Sequence, residues 1–278
     1  MRLSVIETGK FKLDGGAMFG VVPKSIWNKL NPADENNMCT WAMRCLLVEK
    51  GNRLVLIDCG IGNKQDEKFF SHYYLHGDDN LLDSIKKAGY SHDEITDVFL
   101  THLHFDHCGG ALKWNENRTA IIPVFPNAVY WSNSRHWEWA TNPNAREKAS
   151  FLKENILPLK ELGVLKFTDQ ETFDVFDIIY CSGHTDHMML PKIKYKEHTI
   201  VFMADLLPSY AHIPIPYVMA YDTRPLLTLE EKQSFLNEAY KNNYLLFFEH
   251  DPVNVLCNLK QTEKGIRMDQ SINFNDIL

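Results

Sequence analysis

Three histidines and one aspartate lie within six consecutive positions of the stretch FLTHLHFDHCGG, namely His102, His104, Asp106 and His107. Imidazole nitrogens and carboxylate oxygens are the groups with which proteins bind zinc and similar divalent ions. His102 and His104 are two positions apart and can bind one ion, which then needs a third protein ligand from elsewhere in the chain. Asp106 and His107 are awkwardly placed for that same ion, so the spacing favours a second metal beside the first.

Further candidate ligands follow apolar, strand-like runs later in the chain. His184 ends IIYCSGH, Asp205 ends IVFMAD and His250 ends LLFFEH, just as His102 ends VFLTH. The ends of strands are where a rigid sheet can present side chains on accessible loops. We therefore expect these residues to share one site.

The segment HLHFDH matches the pattern HxHxDH, and together with the order of the later ligands it makes the chain resemble the metallo-β-lactamase superfamily of dinuclear hydrolases. The resemblance covers nearly the whole chain and implies an α+β fold, a four-layer αββα sandwich with the site along one edge of the paired sheets. It implies two Zn²⁺ per chain, although these ligand types also accept manganese, iron or cobalt. The implied ligands are His102, His104 and His184 for one metal, Asp106, His107 and His250 for the other, and Asp205 bridging both. By the same resemblance, Asp58 in LIDCG orients metal ligands without binding the metal.

The implied chemistry is hydrolysis by a hydroxide shared between the two ions, since zinc lowers the pKa of bound water to about 7. Asp106 and Asp205 would act in catalysis by holding the metals at the correct separation. In homoserine lactonases, a tyrosine three residues after the bridging aspartate assists the substrate carbonyl, but that position here is Pro208. Tyr210, the nearest tyrosine, either reaches the site from a shifted loop or simply packs, and His212 is a weaker candidate for the same role.

Within the superfamily, the resemblance is closest to the branch of N-acyl homoserine lactonases and methyl parathion hydrolase-like enzymes. Flavodiiron enzymes use glutamate in place of His104, and zinc β-lactamases typically lack an equivalent of Asp205. The tail after Cys257 does not resemble the helical, basic glutathione site of glyoxalase-type thioesterases. We therefore expect cleavage of a lactone or related carboxylic ester. An organophosphate triesterase is the alternative, and a non-catalytic metal-binding protein is a third hypothesis.

The composition is that of one globular domain, residues 1–278, with a formal charge of −7 from 29 basic and 36 acidic residues. This charge disfavours nucleic acid or an anionic membrane as a partner, and a basic-surfaced ribonuclease in particular, and favours a small-molecule ester or lactone. No signal peptide or membrane span is evident, so we expect a cytoplasmic protein. The six cysteines form no CxxC pair and are expected to be reduced and structural.

The elements expected to position the candidate ligands are strands and helices that alternate after an opening antiparallel sheet. A hairpin is predicted at the turn 50–52, and helices are predicted over 80–89, 134–140, 147–163 and 228–243. Capping boxes are predicted at Ser91–Glu94 and Thr228–Glu231. Met18 and Phe19 in GGAMFG are expected on an exposed turn, either as a lid over an acyl chain or as a contact in a homodimer.

Overall fold

Two six-stranded sheets organise the chain in the computed structural model, which describes residues 1–278. The chain forms two compact units. Unit 1 contains Met1–Gly9 and Met43–Val175, and unit 2 contains Lys10–Ala42 and Phe176–Leu278.

The first sheet has the strand order β1-β2-β3-β4-β7-β8, and a separate two-stranded sheet is formed by β5 and β6. Strands β3, β4, β7 and β8 are mutually parallel, whereas β2 and β3 form an antiparallel hairpin. The strands are β1 (Arg2–Asp14), β2 (Met38–Lys50), β3 (Arg53–Ile57), β4 (Asp97–Phe99), β5 (Leu112–Trp114), β6 (Ile121–Pro123), β7 (Val129–Ser132) and β8 (Leu165–Phe167).

The second sheet lies in unit 2 and has the order β14-β13-β12-β11-β10-β9. All of its pairings are antiparallel except β11 with β12, which run parallel. Its strands are β9 (Asp177–Cys181), β10 (Met188–Tyr195), β11 (His198–Phe202), β12 (Leu245–Phe247), β13 (Leu256–Thr262) and β14 (Gly265–Ile272).

Helices flank both sheets and differ in length between the two units. Unit 1 contains α3 (Glu67–Ser71), α4 (Leu81–Lys87), α5 (Phe105–Cys108), α6 (Ser134–Thr141) and α7 (Lys153–Glu161). Unit 2 contains α1 (Gly15–Phe19), α2 (Lys24–Trp27) and the 17-residue α8 (Pro225–Lys241). Short 3₁₀ turns span His92–Glu94, Gly109–Ala111, Tyr210–His212 and Phe274–Asp276.

Local sequence signals are confirmed where neighbouring residues are sufficient to form the element. The predicted hairpin turn joins β2 to β3 at the Lys50–Arg53 pair, where Gly51 has the positive φ of +63° that a glycine adopts without strain. The predicted capping box is formed by Ser91 and Glu94. These features need no distant partner, which is why the sequence pattern predicts them well.

Two helix boundaries were predicted wrongly. The helix expected from residue 147 begins only at Lys153, because residues 145–150 form turns that place Glu147 in a buried position. Helix α8 begins at Pro225 rather than at Thr228, since proline is well tolerated in the first turn of a helix. The capping box at Thr228 is therefore wrong, and Glu231 instead accepts hydrogen bonds from the backbone N–H groups of Ser182 and Gly183.

Apolar residues of unit 1 form a continuous core around β2, β3 and β4, with Leu47, Leu56 and Val98 almost completely buried. All six cysteines are free and buried, as predicted. No helix is both long and apolar enough to cross a lipid bilayer.

The expectation of an exposed apolar turn at GGAMFG was wrong. Met18 and Phe19 lie in α1 and are buried. The Phe19 ring stacks on Trp27, with 5.2 Å between ring centroids, and packs on Trp41 at 5.9 Å. These two aromatic side chains lie within the same unit and bury the turn, which leaves neither Met18 nor Phe19 as an exposed lid.

Candidate metal centre

Four predicted ligands lie at equal distances beyond the strands that carry them. His102 is three residues beyond the end of β4 at Phe99, and His184 is three beyond the end of β9 at Cys181. Asp205 and His250 stand three residues beyond the ends of β11 and β12. Each strand therefore delivers its polar residue on the first turn of the loop that follows, as the sequence pattern predicted.

Unit 1 brings its histidines of the HLHFDH segment together. His102 Nε2 lies 3.1 Å from His104 Nδ1, so the two imidazoles face each other through these nitrogens. The short helix α5 begins directly after His104 and carries Asp106 and His107, whose Oδ2 and Nε2 atoms are 3.7 Å apart. All four side chains are buried. Polar and charged side chains are rarely buried unless they have specific partners.

Asp58 lies beside Thr101 and His107, where the resemblance implied that it would orient metal ligands. Its carboxylate accepts hydrogen bonds from the Thr101 backbone N–H (2.8 Å) and the Thr101 hydroxyl (2.7 Å). The same carboxylate lies 3.1 Å from His107 Nδ1. Since Asp58 holds Nδ1 of His107, the Nε2 atom, which lies 3.7 Å from Asp106, is the one positioned to bind a metal.

Glu147 is a residue that the sequence did not indicate. It is 3% exposed, and its Oε1 atom lies 3.0 Å from His104 Nε2. Its other oxygen accepts hydrogen bonds from Trp139 Nε1 (2.6 Å) and Asn144 Nδ2 (3.2 Å). Glu147 thus orients His104 so that Nδ1 faces His102, and no periodicity or motif in NAREKAS signals this role.

In unit 2, the candidate ligands His184 and His250 both contact Asp205. One carboxylate oxygen of Asp205 lies 3.1 Å from His184 Nε2, and the other lies 3.1 Å from His250 Nε2. The in-register pairing of Phe202 with Phe247 explains part of this arrangement, because Asp205 and His250 follow those two residues at equal distances along parallel strands. A carboxylate with its two oxygens directed at different histidines is suited to bridging two ions.

The remaining nitrogens of these two histidines are held by partners that the sequence did not reveal. His184 Nδ1 lies 2.8 Å from Asp222 Oδ1, and His250 Nδ1 donates to the backbone carbonyl of Ala42 at 2.8 Å. Asp222 lies just before α8, in a loop with no recognisable motif. In both histidines Nε2 is the ring nitrogen that faces another candidate ligand, as it is in His107.

The electrostatics of unit 2 favour a positive charge at this position. Burial disfavours a charged His184, yet the carboxylates of Asp205 and Asp222 outweigh burial and raise the pKa of His184 to about 10. A buried group of acidic side chains that stabilises positive charge fits a divalent cation. The donor set of histidine nitrogens and carboxylate oxygens is also one that zinc accepts.

The structure places Tyr210 and His212 in one 3₁₀ turn but gives them different surroundings. The Tyr210 hydroxyl donates to the backbone carbonyl of Leu30 at 3.2 Å. His212 is buried, with Nδ1 2.9 Å from the Ser209 hydroxyl and Nε2 2.9 Å from the Met18 carbonyl. Its ring stacks on Phe19 with 4.8 Å between centroids, and burial lowers the pKa of His212 to about 3. The catalytic role of Tyr210 stays a prediction.

The residues that follow His184 have other contacts. Asp186 forms an ion pair with Arg224 at 3.0 Å. His187 has a positive φ of +59°, and its ring stacks on Tyr180 with 4.4 Å between centroids. His187 therefore serves a packing role here.

Comparison with known proteins assigns the class to which this fold and these ligands belong. The sequence profile of the Metallo-beta-lactamase superfamily matches residues 44–250, and the chain belongs to this superfamily. The expected α+β metallo-β-lactamase fold is confirmed, and the chain is a metal-dependent hydrolase of this class, with buried histidine and aspartate groups suited to metal binding.

Among particular proteins, the chain is similar to "N-acyl homoserine lactonase AiiA" of Bacillus thuringiensis subsp. kurstaki, with 22% identity over 90% of this chain and 93% of that protein. Its structure is similar to that of a probable metal-dependent hydrolase from Staphylococcus aureus, with 26% identity, coverage of 98% and 96%, and a TM-score of 0.87. It also shares its fold with AidC, a dizinc quorum-quenching lactonase, with 24% identity, coverage of 98% and 95%, and a TM-score of 0.77.

Proposed function

We propose that this chain is a dinuclear metal hydrolase that cleaves a lactone or a related carboxylic ester. The observation that carries the proposal is the same for all five histidines of the site. In each, one ring nitrogen has an orienting partner within its own unit, and the other ring nitrogen faces another candidate ligand at 3.1–3.7 Å. Such pairing is typical of histidines that bind a metal, because it sets the tautomer and the orientation of the ring.

The proposed ligand assignment uses both units as one functional domain, residues 1–278. His102, His104 and His184 bind one ion, and Asp106, His107 and His250 bind the other. Asp205 binds both ions, which agrees with the 3.1 Å approach of each of its oxygens to a different histidine. We propose Zn²⁺ at both positions, with manganese, iron and cobalt as the alternatives to test.

When bound, the two ions supply an ionised water at neutral pH and positive charge that polarises the electrophile. The protein residues keep the ligands in place for this purpose. Asp106 and Asp205 balance the charge of the ions, and Asp58, Glu147 and Asp222 prevent their histidines from rotating. The burial of these groups strengthens every electrostatic interaction that they make.

The relatives support the substrate class. AiiA is a homoserine lactonase and AidC a quorum-quenching lactonase by name, and the net charge of −7 suits a neutral small molecule rather than a nucleic acid. Cytoplasmic location and a homodimer stay predictions, which cell fractionation and light scattering would check.

The test is a substrate panel with the zinc-reloaded protein. Lactones of varied acyl length, an aryl ester and an organophosphate triester would be assayed alongside metal analysis of the same sample. We expect two ions per chain and the highest kcat/KM for a lactone or carboxylic ester. Exposed His76 provides a matched control, since His76→Ala removes an imidazole far in sequence from the ligands and should change neither quantity. Turnover of triesters alone, or fewer than one ion per chain after reloading, would contradict the proposal.

A further inference from the structure

A group of aromatic side chains lies next to Asp106 in unit 1. The ring of Tyr73 lies 4.8 Å from the ring of Phe105 and 5.0 Å from that of Phe69, measured between centroids. Phe105 opens α5 and directly precedes Asp106. Phe69 lies in α3, and the turn after this helix carries Tyr73, whose backbone N–H donates to the Phe70 carbonyl at 3.0 Å.

The hydroxyl of Tyr73 differs from those of Tyr130 and Tyr210, which have partners within the protein. Tyr130 donates its hydroxyl to the Ala111 carbonyl at 3.1 Å, and Tyr210 donates to Leu30. Tyr73 is only half-buried, and its hydroxyl makes no hydrogen bond within the protein. Its donor therefore remains available to a bound molecule.

The phenol of Tyr73 is a hydrogen-bond donor throughout the neutral range, since an ordinary tyrosine ionises only near a pKa of about 10. Burial raises the pKa of Tyr73 further. The half-exposed aromatic faces of Phe69 and Tyr73 in addition offer apolar surface, which suits the hydrocarbon part of an ester.

We propose that Tyr73 is a catalytic residue whose hydroxyl donates a hydrogen bond to the carbonyl oxygen of the substrate. The proposal rests on the ester hydrolysis proposed above. As hydroxide adds to the carbonyl carbon, the π electron pair moves onto the carbonyl oxygen, and the Tyr73 hydroxyl stabilises the charge that develops there. The carbon–oxygen ester bond then breaks, and the leaving oxygen takes the proton that the hydroxide brought. The products are a carboxylate and an alcohol, and Tyr73 keeps its own proton throughout.

The test compares zinc-reloaded Tyr73→Phe with the wild-type protein. Phenylalanine retains the ring that packs on Phe69 and Phe105, so zinc content and unfolding temperature should not change. Loss of one donor to a developing oxyanion is worth about 10²-fold, and we expect this loss in kcat with little change in KM. Tyr74→Phe is the matched control, because the neighbouring Tyr74 is 51% exposed. It should keep the wild-type kcat.

Esters that differ only in the basicity of the leaving alcohol locate the hydrogen bond. A bond to the carbonyl oxygen predicts the same fold-loss for every leaving group, whereas a loss that grows with leaving-group basicity would overturn this assignment. An unchanged kcat in Tyr73→Phe would refute the role of Tyr73 and leave the proposed function intact. Absence of turnover by the zinc-loaded wild-type protein on the whole panel would refute both.

Discussion

The two units supply their candidate ligands in different ways. Unit 1 takes four of them from the six residues His102–His107, so one loop and the start of α5 determine their arrangement. Unit 2 takes three of them from positions between residues 184 and 250, and each follows a different strand. The first set therefore depends on local backbone geometry, whereas Asp205 and His250 of the second set depend on the register of β11 with β12. A motif search finds only the first set directly.

The largest expected effect comes from removing one ligand from each set. Asp205→Asn in unit 2 and His104→Ala in unit 1 should each lower kcat/KM at least ~10³-fold, because water is no longer ionised near neutral pH without a complete metal site. Steady-state assays on the preferred ester, with circular dichroism as the control for folding, measure this. If only one variant lost activity, the two sets would not act together.

A second experiment distinguishes the two proposed ions through the residues that orient their ligands. Asp222→Asn and Glu147→Gln should each lower the affinity for the ion assigned to His184 and His104 by about 10–100-fold. Asp58→Asn should lower the affinity for the ion assigned to His107 by a similar factor. Titration with a competing chelator resolves two zinc affinities in each variant. The assignment would fail if Asp222→Asn and Glu147→Gln affected different ions.

The burial of His212 in unit 2 should make the free energy of unfolding depend on pH. Burial lowers its pKa to about 3 from the ordinary value of 6.5, so the folded protein keeps it neutral. Below pH 6.5 the unfolded chain binds a proton that the folded chain excludes, and stability is therefore lost as the pH falls toward 3. The expected slope is about 1.4 kcal/mol per pH unit.

Urea unfolding between pH 6 and pH 4 measures that slope. His212→Gln lacks the titrating group, so its free energy of unfolding should fall less steeply than that of the wild-type protein at equal metal loading. Equal slopes for the two proteins would show that His212 is not excluded from protonation in the folded state.

The smallest expected effect comes from a local element of unit 1. Ser91→Ala removes one side of the capping box with Glu94 and should lower the free energy of unfolding by about 1 kcal/mol. It should leave kcat unchanged, since the element is exposed and its contacts are between neighbours in sequence. Ser71→Ala at another exposed position is the control, and a change in kcat with Ser91→Ala alone would show that the turn influences the site.

Sequence-based prediction succeeded for local features and failed where residues distant in sequence interact. The hairpin at Gly51 and the capping box at Ser91 were predicted correctly because their partners are within a few residues. The same reasoning was wrong for Thr228, where half-buried hydrogen bonds from the backbone of Ser182 and Gly183 to Glu231 replaced the expected cap. It was wrong for Phe19 as well, which is buried by aromatic rings that only the fold brings near.

The sequence alone determined the chemical identity and the order of the candidate ligands, because HLHFDH and the polar residues after the later strands are visible as residue types at fixed spacing. Only the tertiary structure decided that Glu147 and Asp222 orient two of those ligands. Glu147 reaches His104 across 43 positions and Asp222 reaches His184 across 38, and neither carries a local signal. Such contacts depend on how distant segments pack, and packing is a cooperative property of the whole chain rather than of any short pattern.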